Sequence, residues 1–139
     1  MIRFIHKNKL ITNSQYGFQS NKSTETALID FISYIHDGLT SKSHVGSVFM
    51  DLSKAFDVMT HSILKSKLEH YGFRGTFLSF LMNYLKDRKY FVCVNGYVSD
   101  TITSNIGVPQ GSTLGPLLFL LYINDIENCS KLLKFILFC

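Results

Sequence analysis

The chain is poor in the features that announce a function at a glance. Three cysteines, Cys93, Cys129 and Cys139, make an odd count without metal-like spacing, which argues against a disulfide scaffold and suits a reducing compartment. No secretory signal is readable at the start, where Arg3, His6, Lys7 and Lys9 interrupt the apolar residues. The longest apolar stretch, Leu114 to Ile123, contains Gly115, Pro116 and Tyr122 and falls short of the about 20 residues a bilayer span needs. There is no internal repeat, low-complexity tract or linker, no Walker-type phosphate loop, and no readable Ser-His-Asp arrangement. Basic residues outnumber acidic ones 14 to 10, a formal charge of +4, but they are dispersed. That permits an anionic partner without demanding one.

What is present suits a folded domain. The apolar fraction is 46%, and twelve Phe with seven Tyr supply large core pieces. The first eighteen residues show no clear period and read as irregular chain. Ser23 is placed to cap a helix from Thr24 to about Leu39, on which Ala27, Leu28, Phe31, Ile32 and Ile35 recur at helical spacing, with Gly38 and the polar TSKSH segment ending it. Residues 45–52, VGSVFMDL, read as a short buried strand with Asp51 near its end. Two helices follow, SILKSKLEHY stopped by Gly72 and a second from about Thr76 to Lys86 built on Phe77, Phe80, Leu81, Tyr84 and Leu85. Asn95-Gly96 between Tyr90–Val94 and Tyr97–Ile102 predicts a hairpin with a type I′ turn. GVPQGSTLGP is a loop, with Ser112 or Thr113 capping an apolar helix from Leu117 to about Ile126. The last residues, KLLKFILFC, read as a buried strand. A chain ending on an unpaired strand hints at truncation, because its backbone groups need partners.

Chemistry is thinly marked. Asp51, a carboxylate after an apolar strand, reads either as an oxygen ligand for Mg²⁺ or as a turn cap. Asp57 shares its site or caps the segment before His61, and Asp125 solvates or caps a helix end. His61 and His70 lack partners at metal spacing and read as structural or surface residues. In GVPQG, Gly107 and Gly111 allow close backbone approach to a ligand and Gln110 offers a donor and an acceptor; a rigid turn entering a packed helix explains the loop equally well.

Together these segments resemble the reverse transcriptases of non-LTR, LINE-like retrotransposons. The matching stretches are QYGFQSNKSTETAL at 15–28, VFMDLSKAFD at 48–57, HSILKSKLEHYGFRG at 61–75, FLMNYLKDRKYFVCVNG at 80–96, GVPQGSTLGPLLFLLYINDI at 107–126 and LLKFILF at 132–138. The resemblance covers essentially the whole chain. It implies an α+β fold, the fingers and partial palm of a right-hand polymerase, with residues 1–44 fingers-like and 45–139 palm with inserted fingers elements. It implies RNA-directed DNA synthesis by two-metal nucleotidyl transfer from a deoxynucleoside triphosphate to a primer 3′-hydroxyl. The implied partners are an RNA template, a DNA primer and the remainder of the polymerase in cis; nuclear action follows from the mobile-element resemblance alone.

Residue by residue, the resemblance makes Asp51 the first catalytic, metal-binding aspartate, with the Leu52 carbonyl joining the coordination of Mg²⁺ or Mn²⁺. Phe56 becomes the bulky residue that excludes a ribose 2′-hydroxyl, Gln110 and Gly111 lie along template-primer and the incoming base pair, and Lys22 faces the triphosphate. Two positions depart from the pattern: Gln19 stands where relatives commonly carry Arg, and Thr60 where they commonly carry Asp. The family pattern continues from LLKFILF into an Ala-Asp-Asp segment, whereas here Cys139 follows. The expectation is a fragment or decayed copy without the second carboxylate pair, inactive as a polymerase by itself. A non-catalytic nucleic-acid-binding remnant and an unstable fragment are the alternatives.

Overall fold

The structure is a computed structural model that describes residues 1–138; Cys139 lies outside the described residues. It contains helices and short antiparallel strand pairs, an α+β composition. The chain divides into two compact units, one formed by Met1–Ser53 with the segment from Ile123 onward, the other by Lys54–Tyr122.

In the first unit, residues expected to be irregular form a short helix, α1 (Ile2–Lys7), which buries Ile5. Helix α2 (Thr24–Thr40) starts where Ser23 predicts. The Ser23 hydroxyl accepts the Thr26 N–H at 3.2 Å and the Thr26 hydroxyl accepts the Ser23 N–H at 2.8 Å, so two first-turn donors are satisfied reciprocally. The helix ends at Thr40, within a residue of the expected end and at the start of the polar TSKSH segment. The protected face is narrower than expected: Ala27 is buried and Phe31 and Ile35 half-buried at four-residue spacing, while Leu28 and Ile32 are exposed.

The two buried strands expected in this unit do not form. Residues 43–52 form no regular structure and have no ladder partners, and Val48 and Phe49 are 84% and 82% exposed, although the Phe49 ring meets the edge of Phe31 at 5.5 Å. Apolar side chains give the period of a strand, but a strand exists only when a neighbour takes up its backbone groups. Residues 132–138 keep a single parallel bridge, Leu137 to Gln15, with Phe135 to Leu137 half-buried and Phe138 exposed. Side-chain hooks hold the unit instead. Asn124 accepts from the Thr12 N–H at 2.8 Å and donates to the Leu10 carbonyl at 2.7 Å, and the Ser14 hydroxyl donates to Glu127 at 2.7 Å. Hydrogen bonds from Thr12 and Ser14 hold the Glu127 carboxyl below its usual range.

The second unit carries the larger core. Helix α3 (His61–His70) buries Leu64 and Leu68. It stops at Gly72 (φ 91°) with paired terminal bonds, Gly72 N–H to the Glu69 carbonyl and Phe73 N–H to the Leu68 carbonyl. Helix α4 (Gly75–Leu85) packs on α3 through Leu78, Leu81 and Leu85. The buried stripe keeps Leu81 and Leu85 of the expected face and adds Leu78. Phe77 and Phe80 are exposed and continue a ridge with Phe73, with ring centroids 5.8 and 6.5 Å apart.

The chain then turns into a long ribbon. Strands β1 (Arg88–Tyr90), β2 (Cys93–Val94), β3 (Tyr97–Val98) and β4 (Ile102–Ser104) pair antiparallel as β1–β4 at the base and β2–β3 at the tip. At the tip Asn95 (φ 50°) and Gly96 (φ 82°) give the two positive φ values of the expected type I′ turn. Between the ladders Phe91 and Val92 face three residues, Ser99 to Thr101, so one extra residue bulges the return strand. Ser99 spans the break: its N–H donates to the Val92 carbonyl and its hydroxyl accepts the Val92 N–H, both at 2.9 Å. Helix α5 (Leu114–Ile123) buries Leu118, Phe119, Leu120 and Leu121, and the Ser112 hydroxyl accepts the Gly115 N–H at 3.0 Å in its first turn. No helix among the described residues is long and apolar enough to cross a membrane.

Candidate functional site

In the second unit, a cleft of about 520 Å³ is lined by Asp57, Arg88, Tyr90, Ser104 and the loop from Ile106 to Gln110. Two chain segments build its wall. The first is the turn from Lys54 to Thr60, wound by the Asp57 and Val58 N–H groups on the Lys54 carbonyl. The second is the loop, laid along that turn by Gly107 N–H to the Met59 carbonyl and Val108 N–H to the Phe56 carbonyl, both 2.8 Å. Thr60 and Ile106 form an antiparallel bridge beside them.

This close approach accounts for Gly107. A Cβ there would lie 2.7 Å from the carbonyl oxygens of both Phe56 and Asp57, and the residue has φ +70°, a region costly for any L side chain. Its carbonyl is held from the other side by two donors. His61 Nε2 lies 2.7 Å away and Arg88 Nη2 2.9 Å away. Since a carbonyl only accepts, His61 carries its proton on Nε2. Arg88 also donates from Nη2 to the Ile106 carbonyl and from Nε to the Leu85 carbonyl at 3.2 Å, with the Tyr90 ring 5.6 Å from its centre. Its Nη1 is buried without a hydrogen-bond partner among the described residues, a cost of roughly 1–3 kcal/mol by analogy with other unsatisfied groups.

Beyond Gly107, the exposed Gln110 donates from Nε2 to the Asp57 carboxylate at 2.9 Å. Phe56 is half-buried with its ring 5.0 Å from Phe119 of α5. Lys67 reinforces the far end of that helix, donating to the Tyr122 carbonyl at 2.5 Å. Of the residues singled out in the sequence, Phe56, Asp57, Gln110 and Gly111 therefore share one region, with Gly111 exposed at φ +74°.

Asp51, Leu52 and Lys22 belong to the first unit. Asp51 and Leu52 are exposed on the segment 43–52. Lys22 donates to the Asn13 carbonyl and lies 4.5 Å from the Tyr16 ring centre. The Tyr16 hydroxyl donates to Asp30 at 2.9 Å and Lys134 donates to the same carboxylate at 2.7 Å. The Lys134 and Tyr16 bonds hold the Asp30 carboxyl below its ordinary value, and burial followed by the Asp30 bond pushes the Tyr16 hydroxyl up. Asp125 precedes the 3-10 turn Ile126–Cys129, and its carbonyl accepts the Asn128 N–H.

The donors for a divalent ion are incomplete. Asp51 and the Leu52 carbonyl are hard oxygen ligands of the kind Mg²⁺ or Mn²⁺ takes. No three His, Cys, Asp or Glu side chains gather among the described residues. These residues alone do not fit a two-ion site.

Sequence reasoning missed Arg88 altogether and read His61 as structural or surface without its partner. Their partners are backbone carbonyls 18 and 46 residues away, and no side-chain pattern marks such a contact. The two positive φ glycines of GVPQG were the available hint that something must hold that loop.

Over residues 1–139 the chain matches the family described as Reverse transcriptase (RNA-dependent DNA polymerase). It is 32% identical over 118 residues to the "Probable RNA-directed DNA polymerase from transposon BS" of Drosophila melanogaster, covering 85% of this chain and 13% of that protein. It is 33% identical over 114 residues to the "Probable RNA-directed DNA polymerase from transposon X-element" of the same organism, covering 82% and 12%. Against the "RNA-directed DNA polymerase from mobile element jockey" of Drosophila melanogaster it is 30% identical over 120 residues, covering 86% and 13%. The chain thus spans about an eighth of the length of these relatives, and that eighth includes the Lys54–Thr60 turn and the GVPQG loop that meet beside the cleft. By the match over its whole length and by these relatives, the chain belongs to the reverse transcriptase family, among the enzymes of non-LTR retrotransposons.

Proposed function

We propose that this chain supplies part of the template-primer and nucleotide grip of a retrotransposon RNA-directed DNA polymerase, with residues 1–44 fingers-like and 45–139 palm with inserted fingers elements. The observation that carries the reading is the joining of the Lys54–Thr60 turn to the GVPQG loop, which puts Asp57 and Gln110 on one cleft, with Gln110 anchored on Asp57 and Phe56 on the same turn. The unit that holds the cleft has seven Lys and Arg against four Asp and Glu, a net +3 that favours a polyanionic partner.

In this reading Gln110 and Gly111 run along the base pair at the primer end. The Phe56 ring, backed by Phe119, excludes a ribose 2′-hydroxyl and selects deoxynucleotides. Lys22 leaves the Asn13 carbonyl to meet the triphosphate. The reaction of such an enzyme forms a bond from the primer 3′-oxygen to the α-phosphorus and releases pyrophosphate. The family generally uses divalent metal ions, Asp51 with the Leu52 carbonyl being the ligands this chain offers. Because they do not complete a site, binding without turnover is the expected behaviour of these 139 residues.

The test is anisotropy of a labelled RNA–DNA template-primer with the purified chain across a salt series, beside a nucleotide-incorporation assay. Expected are affinity that falls as salt rises and incorporation no higher than an Asp51→Ala control. Absence of salt-dependent binding overturns the grip. Incorporation above the control overturns the absence of turnover.

A further inference from the structure

We propose that Arg88 and His61 are positioning residues that clamp the Gly107 carbonyl and thereby set where Gln110 stands. The consequence for substrate rests on the template-primer reading; the clamp itself rests on geometry. The Gly107 oxygen has two lone pairs, and both are engaged, by His61 at 2.7 Å and by Arg88 at 2.9 Å. The same guanidinium reaches the Ile106 carbonyl and, through Nε, the Leu85 carbonyl at the end of α4. One planar group therefore ties a helix end and the base of the ribbon to the loop. Three residues beyond the clamped carbonyl, Gln110 meets Asp57 across the cleft.

The role of Arg88 is shape rather than charge. Its hydrogen-bond partners are carbonyls, which need N–H groups in fixed directions, and a guanidinium presents five of them in one plane. A lysine keeps the charge but has one nitrogen, which cannot serve Leu85, Ile106 and Gly107 together. Nor is the clamp needed to build the core. Leu64, Leu68, Leu81 and Leu85 are fully buried between α3 and α4, whereas Arg88 and His61 are half-buried at the edge.

The experiment compares the 139-residue wild type with Arg88→Lys, His61→Leu and His61→Gln. NMR reads the Gln110 side-chain amide and hydrogen exchange along the backbone, and anisotropy reads template-primer affinity. Expected for Arg88→Lys and His61→Leu are a displaced Gln110 amide and Gly107 and Val108 exchange faster by at least about tenfold, with α3 and α4 protection unchanged. His61→Gln, which restores an N–H donor, moves the Gln110 signal back toward wild type. Wild-type behaviour in Arg88→Lys would show that charge suffices and overturn the clamp. Equal loss of protection across α3 and α4 would make Arg88 a general stability residue and overturn it too. If the wild type binds no template-primer while Gln110 still moves in the variants, the grip reading fails and the clamp stands.

Discussion

Gly107→Ala should be among the most damaging single-methyl additions in the chain. The new Cβ would sit 2.7 Å from two carbonyl oxygens and 2.8 Å from the Asp57 Cα, all backbone atoms that cannot swing away. The positive φ costs an L residue about 1–2 kcal/mol on its own. Relief of the clash requires the loop to lift from the turn, which breaks the bonds to Met59 and Phe56, each worth about 0.5–1.5 kcal/mol net. The sum is about 2–5 kcal/mol. Gly96→Ala is the control, because Gly96 has φ +82° with nothing within 4 Å of the added carbon, so it carries the conformational cost alone, about 1–2 kcal/mol. Urea unfolding followed by circular dichroism measures both, and hydrogen exchange at Val108 localises the damage. Equal destabilisation by the two substitutions would refute the argument that the loop and turn are in contact at Gly107.

Three further outcomes are expected. Ser23→Ala removes a helix cap and should cost about 1 kcal/mol, read as lower helical ellipticity and earlier urea unfolding. Leu81→Ala should cost about 2–5 kcal/mol because Leu81 is wholly buried, whereas Phe80→Ala, on the exposed ridge, should stay under about 1 kcal/mol; thermal melts compare them. For Asp30 the folded carboxyl sits below its ordinary value of 3.8, so its stabilising contribution is full above that value and is lost as pH falls through the lowered one. Acid titration of stability should therefore show a shallower loss below pH about 4 for Asp30→Asn than for the wild type.

Local signals were legible in the sequence where they were also sufficient. Ser23 marks the start of α2, Gly72 the end of α3, and Asn95-Gly96 the ribbon tip, because each acts through its own backbone and nearest neighbours. Residues 45–52 were misread because alternation and β-branching describe how a segment could pair, while the pairing itself depends on a neighbour that the segment does not contain. On α4 the period is right and the expected face is right at Leu81 and Leu85, but Phe77 and Phe80 turn outward and Leu78 inward. Leu78, Leu81 and Leu85 and the Phe77–Phe80 ridge are both apolar, and only the packing against α3 decides which turns inward. The resemblance set Phe56 and Gln110 at the incoming nucleotide but gave no sign of the Asp57–Gln110 bond, and the residues that hold the loop are a histidine and an arginine bonded to carbonyls, a class of contact that leaves no imprint in residue type.

The extra residue between Ser99 and Thr101 has a geometric consequence. Because side chains alternate sides along a strand, one surplus residue reverses that alternation, so β3 and β4 do not share one continuous in–out phase. The base of the ribbon is tied through Arg88 to the loop, while Ser99 bridges base and tip across the bulge by its two hydrogen bonds to Val92. Val94, Asn95 and Tyr97 lie beyond the bulge, so their side-chain phase is independent of that of the base strands.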